Sequence, residues 1–227
     1  ASTAATGTYS VTATVSGCTG PIETTVATVN PPPSVPIAGS NSTVCSGQIL
    51  SLTASNVSGA TYTWTGPNSY SSSTQNPTII NVTTAATGTY SVTATIAGCP
   101  PSAAGTTLVT INQTPSAPSA SSNSPVCIGD NLSLTASAIS GATYAWTGPN
   151  SFVSSSQNPV IGNGSTAATG TYSVTATVDG CTGPMGTTAA TVNPPPSVPI
   201  AGSNSTVCSG QTLSLTASNV SGATYSW

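Results

Sequence analysis

The twelve residues TAATGTYSVTAT occur three times, at 3–14, 84–95 and 166–177. Other landmarks keep the same interval. Trp64, Trp146 and Trp227 are 82 and 81 positions apart, as are Cys45, Cys127 and Cys208, while Cys18, Cys99 and Cys181 are 81 and 82 apart. A fixed period of this length means a supersecondary unit copied in tandem, so whatever the chain folds into must close within one period. A second level sits above the first. NPPPSVPIAGSNSTVCSGQ at 30–48 returns at 193–211, an offset of 163, whereas the copy between them at 112–130 reads NQTPSAPSASSNSPVCIGD. Two variants therefore alternate, and the 227 residues read as a window onto a longer array.

One period, residues 32–112, can be read for its local structure. PPPSVPIAGS is expected to be a linker and an edge strand, since proline is tolerated in sheets only at edges and strand starts. QILSLTAS at 48–55 alternates Leu50, Leu52 and Ala54 with Ile49, Ser51 and Thr53. ATYTWTG at 60–66 puts Tyr62 and Trp64 on one face, and GTYSVTATI at 88–96 does the same with Tyr90, Val92, Ala94 and Ile96. NPTIINV at 76–82 and TTLVTIN at 106–112 complete the set. Period-two alternation, six or seven short strands in about 80 residues and turn residues between them predict an all-β sandwich of immunoglobulin type. Serine and threonine take the outward positions that charged residues usually hold, and threonine favours strands.

The spacing supports that reading. Tyr90 stands two residues before Val92, as a tyrosine-corner residue stands before the second core cysteine of an immunoglobulin domain. Twelve residues separate Leu52 from Trp64, close to the usual interval from the first cysteine to the core tryptophan. Leu52, Trp64, Tyr90 and Val92 are thus the expected core of one repeat, and Leu134, Trp146, Tyr172 and Val174 that of the next. The expected organisation is the end of a repeat at 1–31 (strands F and G), whole repeats at 32–112 and 113–193, and the start of another at 194–227 (strands A to C), stacked as an elongated filament. A tryptophan in each repeat is also a candidate platform for carbohydrate stacking, but a residue kept in register reads first as core.

Charge is nearly absent. The chain has no Lys, Arg or His, and its only acids are Glu23, Asp130 and Asp179. General acid–base catalysis draws on histidine or on paired carboxylates of shifted pKa, and the abundant serines have no base to activate them. No enzymatic activity and no cofactor are expected. Nucleic-acid binding rests on Lys and Arg neutralising phosphates, and attachment to anionic membranes on basic residues, so neither partner is expected. No run reaches the roughly 20 apolar residues of a membrane span. The chain offers no cleavage site to trypsin-like proteases. Asn-x-Ser/Thr occurs at Asn41, Asn56, Asn81, Asn112, Asn131, Asn163, Asn204 and Asn219, as chance provides in so Ser/Thr-rich a chain.

The stretch VCSGQILSLTAS…ATYTWTGPNSYSSSTQNPTIINVTTAATGTYSVTATIAGC resembles the immunoglobulin-like or PKD-like repeats of giant secreted surface proteins of Bacteroidetes. The nearest likeness is to gliding-motility adhesins of the SprB type, exported by the type 9 secretion system. The resemblance covers the whole chain and rests on the pattern YxW-TGPN, QNP, GTYxV and GC. It implies an extracellular, cell-surface location and a part in adhesion or gliding.

Six cysteines, Cys18, Cys45, Cys99, Cys127, Cys181 and Cys208, without histidine or a metal-ligand cluster read as extracellular structural disulfides. They stand one at a time, not in the close groups zinc requires, so no metal site is expected. Topology favours one pairing over another. Cys45 lies seven residues before Leu52 on strand B and Cys99 seven after Val92 on strand F. B and F run the same way in an immunoglobulin domain, and seven strand residues span roughly 23 Å. The two thiols then belong at opposite ends of one domain, beyond the ~4.4–6.8 Å Cα separation of a disulfide. In a head-to-tail array Cys45 instead faces the F–G turn of the next repeat, giving Cys45–Cys181, with the remaining cysteines paired to repeats outside residues 1–227. The alternative is the intra-domain set Cys45–Cys99 and Cys127–Cys181. The functional expectation is a disulfide-stabilised structural stalk whose partners are neighbouring repeats and, at its surface, extracellular polysaccharide or solid surfaces. Multivalent glycan-binding repeats and a self-assembling sheath or matrix fibre are the competing readings.

Overall fold

The computed structural model describes residues 3–227. Among them there are strands and short 3-10 turns but no α-helix. Two compact units are present. One takes in the chain up to Thr114 together with Asp179–Cys181, the other Pro115–Val178 and Thr182–Trp227.

In immunoglobulin lettering, the sandwich of the first unit has A at Ala38–Ser40, A′ at Val44–Cys45, B at Leu50–Ala54, C at Thr61–Gly66 and C′ at Tyr70–Ser72. E follows at Thr78–Ile79, F at Gly88–Thr95 and G in two pieces, Gly105–Val109 and Ile111–Asn112. One sheet has the order A-B-E and the other G-F-C-C′. A′ leaves the first sheet and pairs in parallel with the end of G, Val44 opposite Ile111 and Cys45 opposite Asn112. Strands A, B and E on one side and C, C′, F and G on the other make the immunoglobulin-like β-sandwich.

The alternating pattern decides which face is buried. In the F–C ladder Val92 stands opposite Trp64 and Ala94 opposite Tyr62. Those side chains meet Leu50, Leu52 and Val109 in a single apolar core, against which Ile96 is partly buried. Trp64 and Val92 have no exposed surface. Full burial of an aliphatic or aromatic side chain of this size stabilises by about 1.5–3 kcal/mol, and this core holds a dozen buried residues, so it dominates the unit.

Polar groups inside the sandwich are satisfied by a few recurring devices. The Tyr90 hydroxyl donates to the Ala86 carbonyl at 3.0 Å, a tyrosine corner closing the turn before F. Tyr62 accepts from the Val57 amide at 2.7 Å and donates to Ser55 at 3.2 Å. Strand E is shorter than the seven residues expected, and side chains replace its missing ladder. Gln75 Nε2 donates to the Ala54 carbonyl at 2.8 Å, Asn76 Oδ1 accepts from the Ala54 amide at 3.0 Å, and the Pro77 carbonyl accepts from Leu52 at 2.9 Å. Trp64 Nε1 donates to the Gln75 carbonyl at 3.1 Å. The QNP motif is therefore a strand built half from side chains.

The proline-rich segment differs from a free linker with an edge strand. Only Ala38–Ser40 joins the sheet, while Pro33 and Pro36 are buried. At Gly105, where G begins, a Cβ would collide with the Pro36 carbonyl, so the position requires glycine.

The second unit repeats the plan. A is Ala120–Ser122, A′ Val126–Cys127, B Leu132–Ala136, C Thr143–Gly148 and C′ Phe152–Ser154. E is Val160–Ile161, F Gly170–Val178, and G Gly186–Ala190 with Val192–Asn193. Leu134, Trp146, Tyr172 and Val174 are buried. The Tyr172 hydroxyl donates to Ala168 at 2.8 Å, and Gln157 and Asn158 take the places of Gln75 and Asn76. Beyond the sandwiches, Gly7–Val11 pairs with Glu23–Ala27 in the first unit and Ala201–Ser203 with Leu215–Ala217 in the second. Tyr9 and Trp227, core types by the repeat, are exposed there.

Candidate functional site

The feature that the repeat cannot build from one copy alone is a disulfide between Cys45 and Cys181, with 5.6 Å between their Cα atoms and 136 positions between them in sequence. Cys45 belongs to residues 32–112 and Cys181 to 113–193, so the bond joins successive sequence copies. Cys45 is not joined to Cys99, nor Cys127 to Cys181.

Local sequence sets each half of the bond. Cys45 is held by the two-residue parallel bridge of A′ with Ile111–Asn112. Ser46 fixes the ends of that bridge. Its amide donates to the Asn112 carbonyl at 2.8 Å, its hydroxyl accepts from the Thr114 amide at 2.9 Å, and its carbonyl accepts from the Thr114 hydroxyl at 2.8 Å. Cys181 follows the tight turn Asp179–Gly180, where φ is +48° and +79°. An Asp-Gly pair with both φ positive is the favoured two-residue hairpin turn, because its twist matches that of the strands it joins. The turn points its own backbone at the bridge. Asn112 Nδ2 donates to the Asp179 carbonyl at 2.8 Å, and Cys181 Sγ lies 3.9 Å from the Asn112 carbonyl oxygen. Cys181 is buried, with 1% of its surface exposed.

The other four cysteines, Cys18, Cys99, Cys127 and Cys208, are free thiols in residues 3–227. Two of them stand in the settings of the bonded pair. Cys127 bridges to Asn193 as Cys45 does to Asn112. Cys99 Sγ lies 3.9 and 3.7 Å from the carbonyls of Asn30 and Pro31, and Asn30 is the residue 82 positions before Asn112. The sequence pattern did not point to the A′ bridge, to Asn112 or to Ser46.

Among the described residues no three His, Cys, Asp or Glu side chains gather as a metal site would require. The Trp64 and Trp146 rings are enclosed, so neither is a platform for a sugar. Burial, and second the repulsion of the neighbouring Tyr70 phenolate charge, pushes the Tyr90 hydroxyl above its ordinary pKa, and burial does the same for Tyr172. Tyr70 packs edge-on to Tyr90 and Phe152 edge-on to Tyr172, each with ring centroids 5.6 Å apart. Among the described residues no helix is long and apolar enough to cross a membrane.

No protein-family model and no curated protein sequence matches the chain. Solved structures give distant likenesses. Murine CEACAM1b is 14% identical over 70% of this chain and 99% of its own, with a TM-score of 0.43. The three N-terminal domains of the bacteriophage RB49 Highly Immunogenic Outer Capsid protein are 16% identical over 83% and 70%, at 0.36. The mouse nectin-like molecule 4 ectodomain is 14% identical over 73% and 66%, at 0.32. The fold assignment rests on strand order and not on these. Disulfides persist in oxidising compartments. A pair of immunoglobulin-like sandwiches carrying one disulfide fits an extracellular domain.

Proposed function

We propose that this chain is part of the repeat region of a long extracellular filament on a cell surface, an adhesin stalk of the SprB gliding type. It carries a binding tip away from the cell for adhesion or gliding motility. The observation that supports this reading is the disulfide from Cys45 to Cys181, which ties one copy of the repeat to the next. A covalent tie between copies resists their separation under load, as a spacer requires. The absence of Lys and Arg fits the same role, since a spacer exposed outside the cell gains from resisting trypsin-like proteases.

The test is electron microscopy of native cells labelled with an antibody raised against a two-repeat fragment. Thin threads fixed to the cell at one end are expected, and deletion of two repeats is expected to shorten them without loss of attachment. A continuous coat or bundles free of the cell would favour a sheath or matrix fibre instead. A two-repeat fragment that alone retains affinity for polysaccharide would favour multivalent binding repeats.

A further inference from the structure

The disulfide encloses a long stretch of chain. Every buried residue of the first core, from Leu50 to Ile111, lies between Cys45 and Cys181 in sequence, and so does the second core from Leu132 to Ala176. Only Ala190 and Val192 of the second core lie outside. Tension applied along the backbone reaches Cys45, crosses the sulfur bridge and leaves from Cys181. The residues between them carry none of it.

The loop also contains Cys99 and Cys127, and these occupy the two halves of the same site. Cys99 lies against Asn30 and Pro31 as Cys181 lies against Asn112. Cys127 holds the bridge position opposite Asn193 that Cys45 holds opposite Asn112. In a longer array the partner of each would be the matching cysteine of a preceding or a following copy. A bond from Cys99 to a preceding copy and one from Cys127 to a following copy would each overlap the loop 45–181 without sharing a residue with its bond.

We infer that the staples interleave, so that the array contains two parallel covalent load paths which bypass strands B to F of each sandwich. Between one bridge and the next, each path follows the backbone for 27 or 28 positions: Cys18 to Cys45, Cys99 to Cys127, Cys181 to Cys208. These segments are strand G, the proline-rich connection, A and A′. One path takes alternate segments, and the other takes those between. Stripped fully from its sandwich, such a segment reaches about 9–10 nm, against about 55 nm for the 163 residues of an unbridged pair of repeats. The array is therefore inextensible even if a core melts, and one broken bridge leaves the second path intact. The inference deepens the stalk reading and takes its biological meaning from it, but its test reads only the chain.

The first experiment pulls the oxidised 227-residue chain by its two ends. About 90 residues lie outside the loop and set a final contour of roughly 30 nm, and reductant is expected to add roughly 47 nm for the 136 positions released. Cys45→Ser is expected to show the longer contour with no reductant. Full extension of the oxidised wild-type chain would overturn the bypass. The second experiment alkylates free thiols in the denatured, unreduced native protein. Essentially no labelling is expected. Labelling of half the cysteines, including Cys99 and Cys127, would overturn the second path while leaving the stalk reading standing. Failure of the filament to appear on cells would remove that reading and leave both measurements unaffected.

Discussion

The two sandwiches are built from the same parts, but the turns that carry their F–G cysteines are not. Trp64 and Trp146, Tyr90 and Tyr172, and Gln75 and Gln157 each make the same hydrogen bond to the same kind of partner. The turns diverge. Cys181 follows an Asp-Gly turn with two positive φ values and continues as a strand, Cys181–Thr182. Cys99 follows Ala97–Gly98, only Gly98 of which is left-handed, and precedes Pro100 and Pro101, which cannot donate to a ladder. The interior of a copied unit is therefore held fixed while its connecting ends vary. What makes a sandwich is specified within one copy. What joins two copies is specified across them.

That contrast can be tested by paired substitutions in the whole chain. The largest effect is expected for Trp64→Ala and Trp146→Ala, each costing about 3–5 kcal/mol, measured by denaturant unfolding followed through the remaining tryptophan fluorescence. A marked inequality between the two would break the equivalence of the cores. Next comes the bond that has no counterpart within one copy. Cys45→Ser is expected to lower stability by about 2–4 kcal/mol in oxidising buffer and to change nothing under reductant, whereas Cys99→Ser is expected to be silent in this chain in both. Gly105→Ala and Gly186→Ala place a methyl group against the Pro36 and Pro118 carbonyls and are expected to cost about 1–3 kcal/mol each. Removing the tyrosine-corner hydroxyl, Tyr90→Phe or Tyr172→Phe, is expected to cost about 1 kcal/mol.

The smallest effect concerns pH. Tyr90 and Tyr172 resist ionisation more in the folded chain than in the unfolded one. The unfolded chain then holds fewer protons above the ordinary tyrosine pKa of about 10, so stability falls as pH rises through and beyond that value. With no Lys, Arg or His side chain to form an ion pair, added salt is expected to leave the melting temperature unchanged at neutral pH. A strong salt dependence would sink that expectation.

Much of the sandwich was legible because alternation is a strong signal. Leu52, Trp64, Tyr90 and Val92 stand on the inward phase of strands long enough to show a period of two. The parts that were not legible are too short to show any period. A′ is two residues, its pairing is parallel, and nothing in VC distinguishes it from the loop on either side. C′ at Tyr70–Ser72 is three residues of a serine-rich run. Strand E looked longer than it is because Gln75 and Asn76 sit in an extended segment but bond to strand B through their side chains. Pro33 and Pro36 read as linker because prolines lack a ladder donor, yet they serve as apolar filling. Strand direction together with a head-to-tail array favoured Cys45–Cys181 over the intra-domain pairing, and the structure holds that bond. The seating of that bond was not legible, because it depends on Asn112 and Ser46, which look like ordinary polar loop residues.

One feature of strand F bears on assembly. Both whole sandwiches use GTYSVTAT for it, at 88–95 and 170–177, so either copy fits either sheet. Arrays of near-identical domains are prone to exchanging such elements as they fold. An exchange would carry Cys181 to the place of Cys99, against Asn30, and out of reach of Cys45. The same exchange would set Cys99 beside Cys45 in its stead, so oxidation would join Cys45 to Cys99 in the swapped chain and to Cys181 in the correctly sorted one, and the bond that closes records which copy supplied the strand.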